Sequence, residues 1–201
     1  GADWIELDVR RSKDGVLVVH HDAHLSDGRL IRDLDSNLLP EEVPSLAEAF
    51  EASENMGVNV EIKHLPGEPD FEEVDLVCEA VVGLVRAYRE DDKILVSSFD
   101  MNAIDRIKET DQSIPTGWLV AERNDGIQIL DRVEAHNHTS INPWDDICNS
   151  LESEDVGQLI ILSAWKPDIV SASNSQTCAG TNQGNFSDII EAVEQFGPIF
   201  V

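Results

Sequence analysis

Basic residues are scarce in this sequence. The 201 residues include 14 Lys and Arg against 40 Asp and Glu, a formal net charge of −26, and only five of the basic residues are Lys. The balance argues against a nucleic-acid partner, because phosphate backbones are gripped by Lys and Arg. Electrostatic docking on anionic lipid is disfavoured for the same reason. Two readings of the acidic surplus stay open: adaptation to salt, or acids that keep the surface solvated and self-repelling. Cysteine is scarce as well. Cys78, Cys148 and Cys178 are odd in number and far apart, so they indicate neither a disulfide framework nor a zinc site. Reduced thiols in a cytoplasmic protein are the expectation.

Long apolar runs are missing. Stretches such as Val16–Val19 and Leu159–Leu162 are far too short to cross a bilayer, so no stable membrane insertion is expected. Neither GxGxxG nor GxxxxGK[ST] occurs, which removes the dinucleotide and P-loop readings. No signal peptide is visible. The chain also opens without Met, at Gly1, in what reads as the middle of a strand, and an upstream segment is expected.

What is present is a globular core. The 41% hydrophobic content suits a single domain over residues 1–201. Apolar runs predict strands at Trp4–Val9, Val16–His20, Val58–Lys63, Ile94–Ser97, Pro115–Val120, Thr139–Asn142, Leu159–Ala164 and Pro198–Val201. Helical spacing predicts helices at Ser45–Ala52, Val74–Tyr88, Asn102–Lys108 and Asp188–Gln195. Ser45 and Glu48 form a capping-box signature for the first of these. Strands alternating with helices point to βαβ units on a parallel sheet, either doubly wound or a (β/α)8 barrel. Pro66–Glu73 reads as an acidic loop above the Val58–Lys63 strand, and 171–185 as a long loop or disordered insertion.

The chemistry concentrates in three pieces. In Trp4–Val9 the acids Glu6 and Asp8 stand two apart, on one face of a strand. Two carboxylates on an inward face are costly to bury without a neutralising cation, and oxygen ligands suit Mg²⁺ or Ca²⁺. Acids facing water on a half-exposed strand are the other reading. Lys13-Asp14-Gly15 is a turn signal, so the chain returns through Val16–His20 and brings His20-His21-Asp22 to the same edge. A histidine there can transfer protons near neutral pH, or be an ordinary surface side chain. In Val58–Lys63, Glu61 could complete a three-carboxylate site with Lys63 as a phosphate donor. A structural ion pair is the alternative.

Ile-Glu-Leu-Asp-Val, Ser-Lys-Asp-Gly, Val-Val, His-Asp and Val-Glu-Ile-Lys, in this order and spacing, resemble the glycerophosphodiester phosphodiesterases. Pro44-Ser45-Leu46, Ser97-Ser98-Phe99 and Asn142-Pro143 add support, and the similarity runs from residue 1 to about 144. The resemblance implies an α/β fold, a TIM (β/α)8 barrel of the phospholipase-C-like type, here without its first strand. It implies that Glu6, Asp8 and Glu61 bind a divalent cation, Mg²⁺ or Ca²⁺. It implies that His21 is a catalytic histidine and that Lys63 contacts the substrate phosphate. Trp165 is a candidate wall for the substrate. His24, His64, His136 and His138 have no motif support, although His64 follows Lys63 and could touch substrate. The family's His-Arg-Gly segment, with a second catalytic histidine, is expected upstream of Gly1. A barrel without its first strand should be marginal, oligomeric or completed by further chain. The function implied is metal-dependent hydrolysis of a small glycerophosphodiester to glycerol 3-phosphate and an alcohol. The alternatives are an inactive fragment, a barrel that binds a cation or phosphodiester without turnover, or a phospholipase-type barrel.

Overall fold

The structure is a computed structural model that describes residues 4–53, 56–71, 76–88, 93–121, 132–143 and 160–161. The expected strand Pro198–Val201, the helix Asp188–Gln195, the loop 171–185 and Trp165 lie outside the described residues.

Short runs of apolar residues, alternating with polar ones in the first and third, give β1 (Trp4–Arg11), β2 (Leu17–Val19), β3 (Gly57–Ile62), β4 (Ile94–Ser98), β5 (Thr116–Val120), β6 (Ser140–Pro143) and β7 (Ile160–Ile161). Among the described residues the longer helices between them are α1 (Leu46–Ala52), α2 (Leu76–Tyr88) and α3 (Met101–Thr110). The sheet order is β2-β1-β3-β4-β5-β6-β7. Every neighbouring pair from β1 to β7 is parallel, and only β2 runs antiparallel, against the end of β1. The parallel order never reverses. A doubly wound sheet needs a reversal at its switch point, whereas a barrel adds each strand on the same side. The described strands therefore form an open arc of barrel type.

The expected hairpin is present. Gly15, at φ +90, makes the turn, and Val9, Arg10 and Arg11 pair with Val19, Val18 and Leu17. β2 covers only the end of β1, and Trp4–Leu7 have no ladder partner on that edge among the described residues.

The two faces of the arc differ in chemistry. Val58, Val60 and Ile62 point outward and join Val9, Phe50, Val81, Val85, Val96 and Ile107 in one buried cluster between sheet and helices. The alternate residues Asn59 and Glu61 point inward, with Asp8, Ser97, Gly117 and Ser140 at matching levels on neighbouring strands. The apolar outer face pins the register, because a one-residue slip would swap the two faces. Trp4 and Gly57 set the same register at the start of the strands: a Cβ on Gly57 would meet Trp4 Cδ2 at 2.0 Å.

α1 and α3 each begin on a capping side chain. Ser45 accepts from the Glu48 amide, and the Glu48 carboxylate accepts from the Ser45 amide. Asp100 caps α3 by accepting from the Asn102 amide. No helix among the described residues is long and apolar enough to cross a membrane. Replacing Ser45 by Ala removes the reciprocal cap. It should lower the unfolding free energy by about 1 kcal/mol, seen as a lower urea midpoint at constant slope. An unchanged midpoint would show that the cap contributes nothing.

Candidate active site

The parallel register between β1 and β3 builds the site. Asp8 pairs with Glu61 and Glu6 with Asn59, so all four side chains share the inward face. One carboxylate oxygen from each of Glu6, Asp8 and Glu61 lies within 4.8 Å of the others. Lys63, just past β3, places Nζ 2.9 Å from Asp8 Oδ1 and also pairs with Glu61 Oε1. The site lies toward the C-terminal ends of the strands, where barrel active sites are found.

Its electrostatics are those of crowded, dehydrated acids. Glu6 is pushed up to about 8, first by burial and then by the charges of Asp8 and Glu61, with Lys63 opposing. Burial also raises Glu61, although Lys63 pulls it back. Burial alone would lower Lys63, but Glu61 and Asp8 hold its ammonium above the usual lysine value. Glu6 Oε1 is buried with no hydrogen-bond partner. A buried carboxylate oxygen left unpaired is costly. The donor set fits a hard divalent cation: three carboxylates whose oxygens converge, with Glu6 Oε1 buried and unpartnered.

Surrounding residues hold the strands that carry the acids. Ser97 Oγ donates to Asn59 Oδ1 at 2.9 Å, and Ser98 Oγ donates to the Ile62 carbonyl oxygen at 2.8 Å. The Ser-Ser pair thus ties β4 to a side chain and to the backbone of β3. His64 turns away from the acids. It is buried, with Nδ1 3.3 Å from Asp100 Oδ2 and its ring 4.6 Å from that of Phe71.

His21 sits past β2 on the exposed rim, with Nδ1 2.8 Å from Asp22 Oδ1. Its charge lowers the Glu61 pKa, so it lies within electrostatic reach of the acids. His20 is spent on the backbone: its amide donates to the Asp8 carbonyl oxygen, and its ring contacts the Asp22 carbonyl oxygen at 2.7 Å.

Sequence reasoning missed Arg10. Its guanidinium is buried, donates through Nε to the His21 carbonyl oxygen at 2.9 Å, and pairs with Glu68 at 2.9 Å and Asp70 at 2.6 Å. One side chain therefore ties the His21 turn to the acidic loop above β3. Burial alone would lower the Arg10 pKa, but the hydrogen bonds it donates to the Glu68 and Asp70 carboxylates hold it above the ordinary value. The signal was available: Arg10 continues the same-face series of Glu6 and Asp8.

A family model described as the glycerophosphoryl diester phosphodiesterase family matches residues 1–143. The chain belongs to this family. A glycerophosphodiester phosphodiesterase from Caldanaerobacter subterraneus is 30% identical, over 59% of this chain and 55% of that protein. The chain thus spans about half the length of the curated relative it matches. Among solved structures, the Oleispira antarctica phosphodiesterase in complex with its product sn-glycerol-3-phosphate superposes with a TM-score of 0.72. It is 22% identical, with 100% of this chain and 81% of that chain covered. The Thermotoga maritima glycerophosphodiester phosphodiesterase superposes with a TM-score of 0.63, at 24% identity over 95% and 77% of the two chains. At these identities the structural likeness speaks to the fold. With the unreversed strand order, it makes this phosphodiesterase-family chain an α/β protein of TIM-barrel class.

Glu6 supplies a pH signature of the cluster. Its carboxyl should keep a proton in the folded protein up to about 8, while the unfolded chain loses it near 4.5. The folded state then binds more protons between those values, so stability falls as pH rises through that window. In EDTA, urea midpoints at pH 5 and pH 8.5 should diverge for the native protein and Glu6→Gln, with the native protein losing more. Parallel midpoints would mean that Glu6 titrates as an ordinary acid.

Proposed function

We propose that this chain carries the cation- and phosphate-handling residues of a metal-dependent glycerophosphodiester hydrolase. The products would be glycerol 3-phosphate and an alcohol such as choline, ethanolamine or glycerol. The observation that carries this reading is the convergence of Glu6, Asp8 and Glu61, with Glu6 Oε1 unpaired, at the C-terminal ends of the strands. The family membership and the product named for the Oleispira neighbour support the same substrate class.

Glu6, Asp8 and Glu61 would hold the cation, and an all-oxygen donor set favours Mg²⁺ or Ca²⁺ over softer metals. When bound, the cation supplies Lewis-acid polarisation of the phosphoryl oxygen. Lys63 gives its ammonium to a phosphate oxygen, where charge accumulates in the transition state. This local positive charge matters in a protein of net charge −26 that handles an anionic substrate. Asp22 engages His21 Nδ1 and leaves Nε2 to take or give a proton as general base or acid. Arg10, through the His21 carbonyl oxygen, is a positioning residue for that turn.

One observation favours a second reading, a barrel that binds a cation or phosphodiester without turnover. Lys63 already pairs with Asp8 and Glu61, and so neutralises part of the acid charge by itself.

Hydrolysis of glycerophosphocholine and of intact phospholipid, with Mg²⁺ or Ca²⁺ and in EDTA, distinguishes the readings. The hydrolase reading predicts cation-stimulated cleavage of the water-soluble diester. Glu61→Gln should abolish the stimulated part, and Lys63→Met should lower kcat by about 10²–10³-fold, as for other preorganised charge-stabilising donors. Stimulated activity that survives Glu61→Gln would overturn the cation assignment. Cation binding without cleavage of either substrate would support the binding reading.

A further inference from the structure

A second convergence of ligand-type side chains lies at the other end of the strands. Asp105 projects from the middle of α3. His136 and His138 follow a single helical turn at 132–135 and precede β6. Asp105 Oδ1 lies 2.7 Å from His136 Nδ1 and 3.1 Å from His138 Nε2, so both rings aim at one carboxylate oxygen. The three donor atoms lie within 4.8 Å of one another.

The backbone is built to bring the rings together. The His138 amide donates to the Val133 carbonyl oxygen and the Asn137 amide to that of Glu134, the bond pair of a Schellman ending. Asn137, between the histidines, takes the left-handed conformation at φ 58 that this ending requires. The two imidazoles are thereby stacked at 5.9 Å with 19° between their planes.

The far side of His138 is also engaged. Its Nδ1 lies 2.9 Å from Oγ1 of the buried Thr116, at the start of β5. When Nδ1 carries the proton and donates it to Thr116, the lone pair of Nε2 faces Asp105 and the cluster. A hydrogen-bond acceptor on the far ring nitrogen is the usual way a metal-bound histidine is held in its tautomer, and the Thr116 hydroxyl oxygen occupies that position here. The His138 side chain is 0% exposed, against 27% for Asp105 and 41% for His136. The cluster is thus anchored on the inside and open to solvent on the outside. Lys108 on the same helix gives its ammonium to the Gln112 carbonyl oxygen, 3.2 Å away.

We propose that Asp105, His136 and His138 bind a zinc-type transition-metal ion at the N-terminal end of the strands, opposite the carboxylate site. Two imidazole nitrogens and one carboxylate form a donor set for Zn²⁺, whereas the all-oxygen site at the other end suits Mg²⁺ or Ca²⁺. Tetrahedral bonds of about 2.0–2.1 Å put ligand atoms about 3.3 Å apart, so small side-chain shifts would admit the ion. Binding displaces a proton from between a ring and Asp105, and three protein ligands leave the fourth position to water. The ion would fasten α3 to the turn that leads into β6. This is a stabilising role, as expected for the N-terminal face of a barrel.

The test is a Zn²⁺ titration of the whole chain by calorimetry, with excess Mg²⁺ present, together with thermal midpoints with and without Zn²⁺. The native protein should bind Zn²⁺ and gain thermal stability from it. His136→Ala alters a half-exposed side chain, and the nearly isosteric Asp105→Asn is the second variant. Each should weaken Zn²⁺ binding at least tenfold and lose the thermal gain. Glu61→Gln should leave Zn²⁺ affinity at the native value. An absence of binding, a native affinity retained in both site variants, or a loss that follows Glu61→Gln instead would overturn the proposal. Each of those results would leave Asp105 and the histidines as a plain hydrogen-bonded tie between helix and turn.

Discussion

Three carboxylates brought together on the inward face of two adjacent strands impose the constraint on which the rest of the structure depends. Glu6, Asp8 and Glu61 crowd within reach of one ion, and dehydrated like charges repel strongly. Something positive must lie among them. Lys63 supplies part of that charge, and burial leaves Glu6 holding its proton up to about 8. A buried ion pair rarely recovers the full cost of desolvating its members. The acids are thus a poor choice for stability alone and a suitable one for holding a cation.

The remaining architecture keeps that cluster in place. Val9 of β1, Val58, Val60 and Ile62 of β3 and Ile94 and Val96 of β4 are buried against the helices, so a register shift would expose a core while burying more charge. Ser97 and Ser98 bond to the Asn59 side chain and the Ile62 carbonyl oxygen of β3 from the next strand. Arg10 continues the same strand face and uses its single guanidinium to hold the His21 turn and the Glu68–Asp70 loop together. The rim of the site is therefore stapled from the strand that carries two of the acids. Exposed ion pairs such as Arg106 with Glu79 contribute little by comparison, because water and salt screen them.

Much of this was legible in the sequence because it rests on local periodicity. Alternation in Trp4–Val9 and Val58–Lys63 placed Glu6, Asp8 and Glu61 on inward faces, and the strands form there with slightly different ends. The Ser45–Glu48 spacing announced the capping box of α1, and Lys13-Asp14-Gly15 announced the reversal into β2. The choice between a doubly wound sheet and a barrel was not local. Periodicity left both open, the motif resemblance implied the barrel, and the unreversed strand order agrees with it. Arg10 was overlooked because its partners, Glu68 and Asp70, lie 58 and 60 residues away in the chain. His136 and His138 carried no motif, and their meeting with Asp105 spans 31 and 33 residues. Periodicity reads which face a residue occupies, but long-range pairing depends on how the elements pack.

If the Glu6–Asp8–Glu61 cluster is a hard-cation site, it should load with a divalent ion in the intact protein. Anomalous diffraction from crystals of the protein soaked in Mn²⁺, standing in for Mg²⁺, tests it most directly. A manganese peak should appear among the three carboxylates, with oxygen ligands from all three. Crystals in which Mn²⁺ is absent there, while Lys63 still bridges Asp8 and Glu61, would contradict it.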